Sequence, residues 1–160
     1  MWICAGARGA TSITQTNVSW SNLYTTNGNT QYAELWVGVV SGSPGTTATV
    51  NFASSTRVQA FGVEVTTAFS TAGTAATSTG NASRGAFSGP LTTSAGDIVV
   101  GITSNNSSAY GMSMPNVPYA VVQAGGQGNG FILSSPGCPI YSQSMFDAAS
   151  NVIQALVIIS

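Results

Sequence analysis

The chain contains no histidine and no lysine, and its only cations are Arg8, Arg57 and Arg84. Its only carboxylates are Glu34, Glu64, Asp97 and Asp147, so charged residues make up 4% of the sequence, against roughly a quarter in ordinary soluble domains. Each shortage excludes something. Without histidine there is no Ser-His-Asp or Cys-His catalysis and no histidine-bound metal. Three cations cannot neutralise the several phosphates that a nucleic-acid complex needs, nor dock the chain on anionic lipid. Four scattered carboxylates make a poor calcium cage. Glu34 and Glu64 would be the one conceivable acid and base pair of a glycosidase. Their ordinary roles are a salt bridge with Arg57 or solvent-facing strand positions, and these are favoured. No catalytic residue, metal or cofactor is therefore expected, and the chain does not read as an enzyme.

Cysteine is also scarce. Cys4 and Cys138, far apart and without histidine, are a poor zinc site but a candidate disulfide tying the N-terminal segment to the C-terminal third. The alternative is two buried thiols acting as small hydrophobes. No apolar stretch approaches the ~20 residues of a membrane-spanning helix, so no membrane insertion is expected. Met1 to Ala10 lacks the cationic start and long apolar run of a signal peptide.

What remains is a chain of 160 residues, 43% hydrophobic, with mean hydropathy +0.25. That suits one domain with a sizeable core, because disorder needs low hydrophobicity as well as low charge. The surface must be covered by Ser, Thr, Asn, Gln, Gly and Ala. Such a surface repels copies of itself weakly and favours association. It also barely titrates, which fits an extracellular or virion setting.

Helical periodicity is nearly absent, while short alternating runs between turn clusters recur. The clearest strand is Gln31 to Val40, with Leu35, Val37 and Val39 on one face and Tyr32, Glu34 and Trp36 on the other. Asn27-Gly28 ahead of it is a hairpin signal, which makes Asn17 to Tyr24 the partner strand. Thr46 to Phe52 places Ala48, Val50 and Phe52 inward. Arg57 to Val65 places Phe61, Val63 and Val65 on a core face. Ser70 to Ser88 is small and polar without a period and reads as a long surface loop, with room for a short strand near Ala86. Further strands are expected over Asp97 to Thr103, Val117 to Val122 and Gly130 to Leu133. Asn151 to Ile159 is apolar on both faces and should lie centrally or at an interface. A short helix-like stretch falls at Ser144 to Ala149.

The runs Trp20-Ser-Asn-Leu-Tyr, Ala33-Glu-Leu-Trp-Val-Gly-Val-Val, Ala60-Phe-Gly-Val-Glu-Val and Ala95-Gly-Asp-Ile-Val-Val-Gly-Ile, closed by Val152 to Ile159, resemble jelly-roll modules of secreted microbial surface proteins and phage structural proteins. The resemblance implies a single antiparallel jelly-roll β-sandwich. Such modules have a complete strand ahead of a segment like Trp2-Ile-Cys-Ala-Gly-Ala, so a first strand is expected to be missing here. A sandwich short of a strand exposes a groove and an unpaired edge, which a neighbour can fill by donor-strand complementation. In this respect the chain resembles archaeal extracellular threads and related pili. The implied organisation is an N-terminal donor segment over residues 1–16, with Trp2, Ile3 and Ile13 as pocket-filling side chains, and a sandwich domain over residues 17–160.

Three functions are then in play. The first is a homopolymeric extracellular filament joined by strand exchange between identical subunits. The second is a virion component such as a capsid decoration or tail domain. The third is a secreted adhesion or carbohydrate-binding module, for which the tryptophans and tyrosines would form a stacking platform, although ordinary packing of Trp20 against Trp36 is favoured. Asn17, Asn81, Asn105 and Asn106 each begin an N-x-Ser/Thr sequon and are candidate glycan sites, with Asn81, Asn105 and Asn106 expected in loops.

Overall fold

A computed structural model describes residues 1–6, 8–28, 31–66, 72–82, 85–105, 111–123, 128–146 and 150–159. These residues form an all-β, wholly antiparallel protein. The first half contains β1 (Trp2–Ala5), β2 (Ala10–Thr14), β3 (Val18–Gly28), β4 (Gln31–Val40), β5 (Thr49–Phe52) and β6 (Val58–Phe61). The second contains β7 (Ala72–Ala82), β8 (Gly85–Phe87), β9 (Ala95–Asn105), β10 (Gly111–Pro115), β11 (Ala120–Gln123), β12 (Gly128–Pro136), β13 (Ser142–Phe146) and β14 (Ser150–Ile159). Among the described residues no helix is long and apolar enough to cross a membrane.

The strands group into sheet I, in the order β3-β4-β1-β6, sheet II, in the order β11-β12-β9-β14-β7, sheet III, in the order β10-β13-β8, and the pair β2–β5. Sheets I and II face each other like the layers of a sandwich. Ala33 and Leu35 of β4 meet Val100 and Ile102 of β9 and Val157 and Ile159 of β14, all nearly or fully buried. The β2–β5 pair covers the other face of sheet I, where Ile3, Ala5, Ile13 and Trp36 are buried with Ala48, Val50 and Phe52 against them. Sheet III and the Leu91–Ile140 bridge lie on the other face of sheet II, over Val99, Phe131, Leu133, Leu156 and Ile158.

This layering explains the two-faced strands. Leu156 and Val157 of β14 are both 0% exposed because they point into different cores. The expected central position of the closing strand follows, since β14 lies between β9 and β7. β4 is buried on both faces for the same reason.

Four expectations are corrected. The expected loop at Ser70 to Ser88 contains β7, laddered to β14 from Ser150↔Ala82 to Ile159↔Ala72, while the short strand expected near Ala86 is present as β8. Small polar residues can line an edge strand when the apolar partner supplies the burial, so period 2 need not show. Ser144 and Met145, the start of the helix-like stretch, pair with β8 instead; residues 147–149 lie outside the described set. The strand expected over Arg57 to Val65 pairs only over Val58–Phe61, and Val63 is 44% exposed. The hairpin turn moves as well, because Asn27 and Gly28 belong to the ladder, paired with Tyr32 and Gln31.

Candidate functional site

Among the described residues β6 ends sheet I, laddered to β1 in the register Ile3↔Ala60 and Ala5↔Val58. The Gly6 N–H donates to the Arg57 carbonyl at 2.9 Å, which turns the amide groups of Arg57 toward β1. Backbone groups alternate in direction along an antiparallel strand, so those of Val58 and Ala60 point outward. This outer edge carries no charge over its four residues, Val-Gln-Ala-Phe. Val58 is 47% exposed and Ala60 is exposed too.

Among the described residues β3 packs over β7 and β14, β4 over β14 and β9, and β1 over β9. Four strands laid over five in that register place none of these described strands over β11. Ala120, Ile132, Ser134 and Ile98 share the sheet-I-facing side of sheet II, since Ala120 pairs with Ile132, Ile132 with Val100, and Ser134 with Ile98. Together with Pro118 and Tyr119 they line an open, apolar depression of ≈ 500 Å³. Ile98 and Ile132 are only partly buried there, and Tyr119 is held by an edge-on contact with Phe131, ring centroids 5.7 Å apart.

The N-terminal residues singled out in the sequence lie within their own chain. Ile3 is 0% and Ile13 7% exposed, both in the core under the β2–β5 pair. Trp2 pairs with Leu35 and Phe61 through its backbone; its side chain lies outside the described set. β1 is thus an interior strand of sheet I, and its ladder with β4 extends through Met1 and Trp36: the Met1 ammonium donates to the Trp36 carbonyl and the Trp36 N–H to the Met1 carbonyl.

Glu34 is buried at 3% exposure rather than solvent-facing. Its Oε2 accepts from the Ala10 N–H at 3.0 Å and from the Trp36 Nε1–H at 3.4 Å. Its Oε1 accepts from the Thr25 hydroxyl at 3.5 Å. Burial raises its pKa above the usual 4.5, and these three hydrogen bonds oppose the rise. Arg57 and Glu64 are both exposed. A side chain at Gly9 would place its Cβ 2.7 Å from Glu34 Oε1, so the lack of one at Gly9 is what lets the chain pass over the carboxyl. The group clamps the start of β2 onto sheet I. Alternation alone does not reveal this role, because Glu34 shares a strand face with Tyr32 and Trp36 and carries no separate signal of burial.

Trp36 is buried and Trp20 half-buried in the same core, and the Trp20 Nε1 is buried with no partner. Cys138 is a half-buried free thiol beside the sheet II outer core; Cys4 lies in β1. Asn17 is exposed in the turn between β2 and β3, with φ 57°. Asn81 sits in β7 opposite Asn151, and Asn105 ends β9 opposite Val152, so neither is in the loop expected for it. Asn106 lies outside the described residues. Among the described residues no group of three or more His, Cys, Asp or Glu could hold a metal.

Comparison with protein-family models, with curated proteins and with solved structures returns no match to this chain.

Proposed function

We propose that the protein is a non-enzymatic structural subunit of an extracellular filament, assembled from identical copies by adding a strand at the β6 edge. The observation that carries this reading is the coincidence of an uncharged strand that ends sheet I among the described residues, with Val58 and Ala60 directed outward, and an apolar depression beneath the position its next neighbour would take. Soluble proteins blunt such edges with lysine, proline or inward charge; β6 has none of these. An extended segment from a neighbour would complete a fifth strand of sheet I, hydrogen-bond to the outward amides of Val58 and Ala60, and set alternate side chains over Ile98, Ile132 and Ala120. The added element would be a lone strand rather than a whole second sandwich, because β11 projects beneath the edge and would meet the second sheet of any sandwich docked there. The completed sandwich would correspond to the jelly-roll resemblance.

The N-terminal segment remains a candidate donor, on the condition that it leaves its own sheet, which would expose Ile3 and Ile13. The low charge supports assembly, since few like charges oppose it. The test is Ala60→Pro, which removes an outward N–H and leaves the ladder to β1 intact. Light scattering and gel filtration should show monomers for this variant and polymers for the wild type. Val58→Lys, which places a charge on the same edge, should act the same way. Polymers of unchanged length in both variants would sink the proposal.

A further inference from the structure

The exposed apolar residues of sheet I have a second focus, away from β6. Val39 is 65% and Val40 49% exposed at the end of β4. They stand opposite Ser19 and Val18, which are the last two residues of the Asn17 sequon. The two features meet at one turn. Asn17 takes φ 57°, a left-handed conformation that asparagine tolerates and most residues do not. Its carbonyl accepts from the Ser41 N–H at 3.0 Å, and its Nδ2 donates to the Ser43 carbonyl at 2.9 Å. A Cβ added at Gly42 would lie 3.5 Å from the same Nδ2. The amide is therefore held beside the residues that directly follow Val40.

We propose that Asn17 carries an N-linked glycan whose first sugars cover Val39 and Val40. The inference rests on the extracellular reading, because the modification belongs to exported chains. In the reaction, Asn17 Nδ2 attacks the anomeric carbon of an oligosaccharide carried on a polyprenyl phosphate or pyrophosphate. The C–N bond forms, the C–O bond to phosphate breaks, and the lipid phosphate leaves with the electron pair. One amide hydrogen is lost as a proton to the transferase base. The other remains on Nδ2 and can keep the Ser43 bond. The fold separates this sequon from those of Asn81 and Asn105. Asn81 is laddered within β7, and Asn105 ends an interior strand bonded on both sides, whereas Asn17 is exposed in a turn and Ser19 is exposed on the outer strand of sheet I.

The glycan would have two consequences. It would shield the most exposed large hydrophobic residue among the described ones, since clustered apolar exposure on a soluble surface promotes association. It would also stand at the start of edge strand β3 and obstruct strand addition there, leaving β6 as the open edge of sheet I.

The full chain, fused to a secretion signal, is produced in a eukaryotic host and mapped by peptide mass after enzymatic deglycosylation in heavy-oxygen water, on both secreted and retained material. Asn17 should be occupied, and Ser19→Ala should abolish that occupancy. The Asn17→Gln protein should bind an anilinonaphthalene dye several-fold more strongly than the glycosylated one, and Val39→Thr with Val40→Thr should remove the difference. An unoccupied Asn17, or occupancy with unchanged dye binding, would overturn the proposal. The host supplies the export route, so this outcome is independent of whether native subunits form fibres.

Discussion

Glu34 concentrates the electrostatics of a chain that has few charges to arrange. Its carboxyl is buried, and its pKa is raised because desolvation outweighs three hydrogen bonds. A group whose folded pKa lies above its unfolded value stabilises fully below the unfolded value, and that contribution is lost as pH rises through the folded one. Glu34 should therefore make the fold more stable in acid, with stability falling as pH climbs past 4.5. Burial lowers the pKa of the Met1 amino group to about 5, which works in the opposite sense in both proteins, so the urea-unfolding free energy of wild type minus that of Glu34→Gln is the quantity that should fall across that range. The amide can keep the arrangement, with Oε1 accepting from Ala10 and Trp36 and Nε2 donating to Thr25. Glu34→Ala cannot, and each of the two stranded N–H donors should cost about 1–3 kcal/mol.

Glycines give a second contrast at this scale. A Cβ at Gly101 would collide with the Phe131 ring packed across it, while one at Gly62 would meet nothing within 4 Å. Gly101→Ala should destabilise by about 1–3 kcal/mol through overpacking, and Gly62→Ala should be neutral or mildly stabilising. Thermal melts of the pair would check both.

At the scale of elements, legibility followed apolar alternation. β4 and β9 are legible because Leu35 and Val37, and Ile98, Val100 and Ile102, recur at period 2, and β14 because its run from Val152 to Ile159 is apolar on both faces. The inward set Ala48, Val50 and Phe52 was read correctly for the same reason. β7 was not readable, because its residues Ala-Gly-Thr-Ala-Ala-Thr-Ser-Thr-Gly-Asn-Ala have no such pattern and its pairing is set by β14. Position within a sheet was no more legible. Nothing local in Trp2–Ala5 says that this segment lies between β4 and β6. The open edge and groove are likewise a product of topology, namely four strands laid over five. A prediction belongs here. Ile132→Asp, in the groove floor and only partly buried, should reduce polymer length while the monomer remains folded, as read by gel filtration with circular dichroism. Aggregated or unfolded monomer would show instead that the face is already covered within the chain.

For the whole molecule the near-absence of charge has a physical consequence beyond assembly. With net charge −1 and seven charged side chains in 160 residues, the fold owes little to surface ion pairs, which salt would screen. Its melting temperature should change little between low and high salt, apart from the general stabilisation by strongly excluded salts. Assembly should be equally indifferent to moderate salt, because strand addition relies on backbone hydrogen bonds and apolar contact rather than ion pairs.

The central claim is that copies of this chain join through the β6 edge. Negative-stain electron microscopy of purified wild-type and Ala60→Pro proteins, imaged side by side at equal concentration, tests it most directly. The account predicts open fibres for the wild type and dispersed monomers for the variant. Closed particles or lone monomers in the wild type, or fibres that persist in Ala60→Pro, would contradict it.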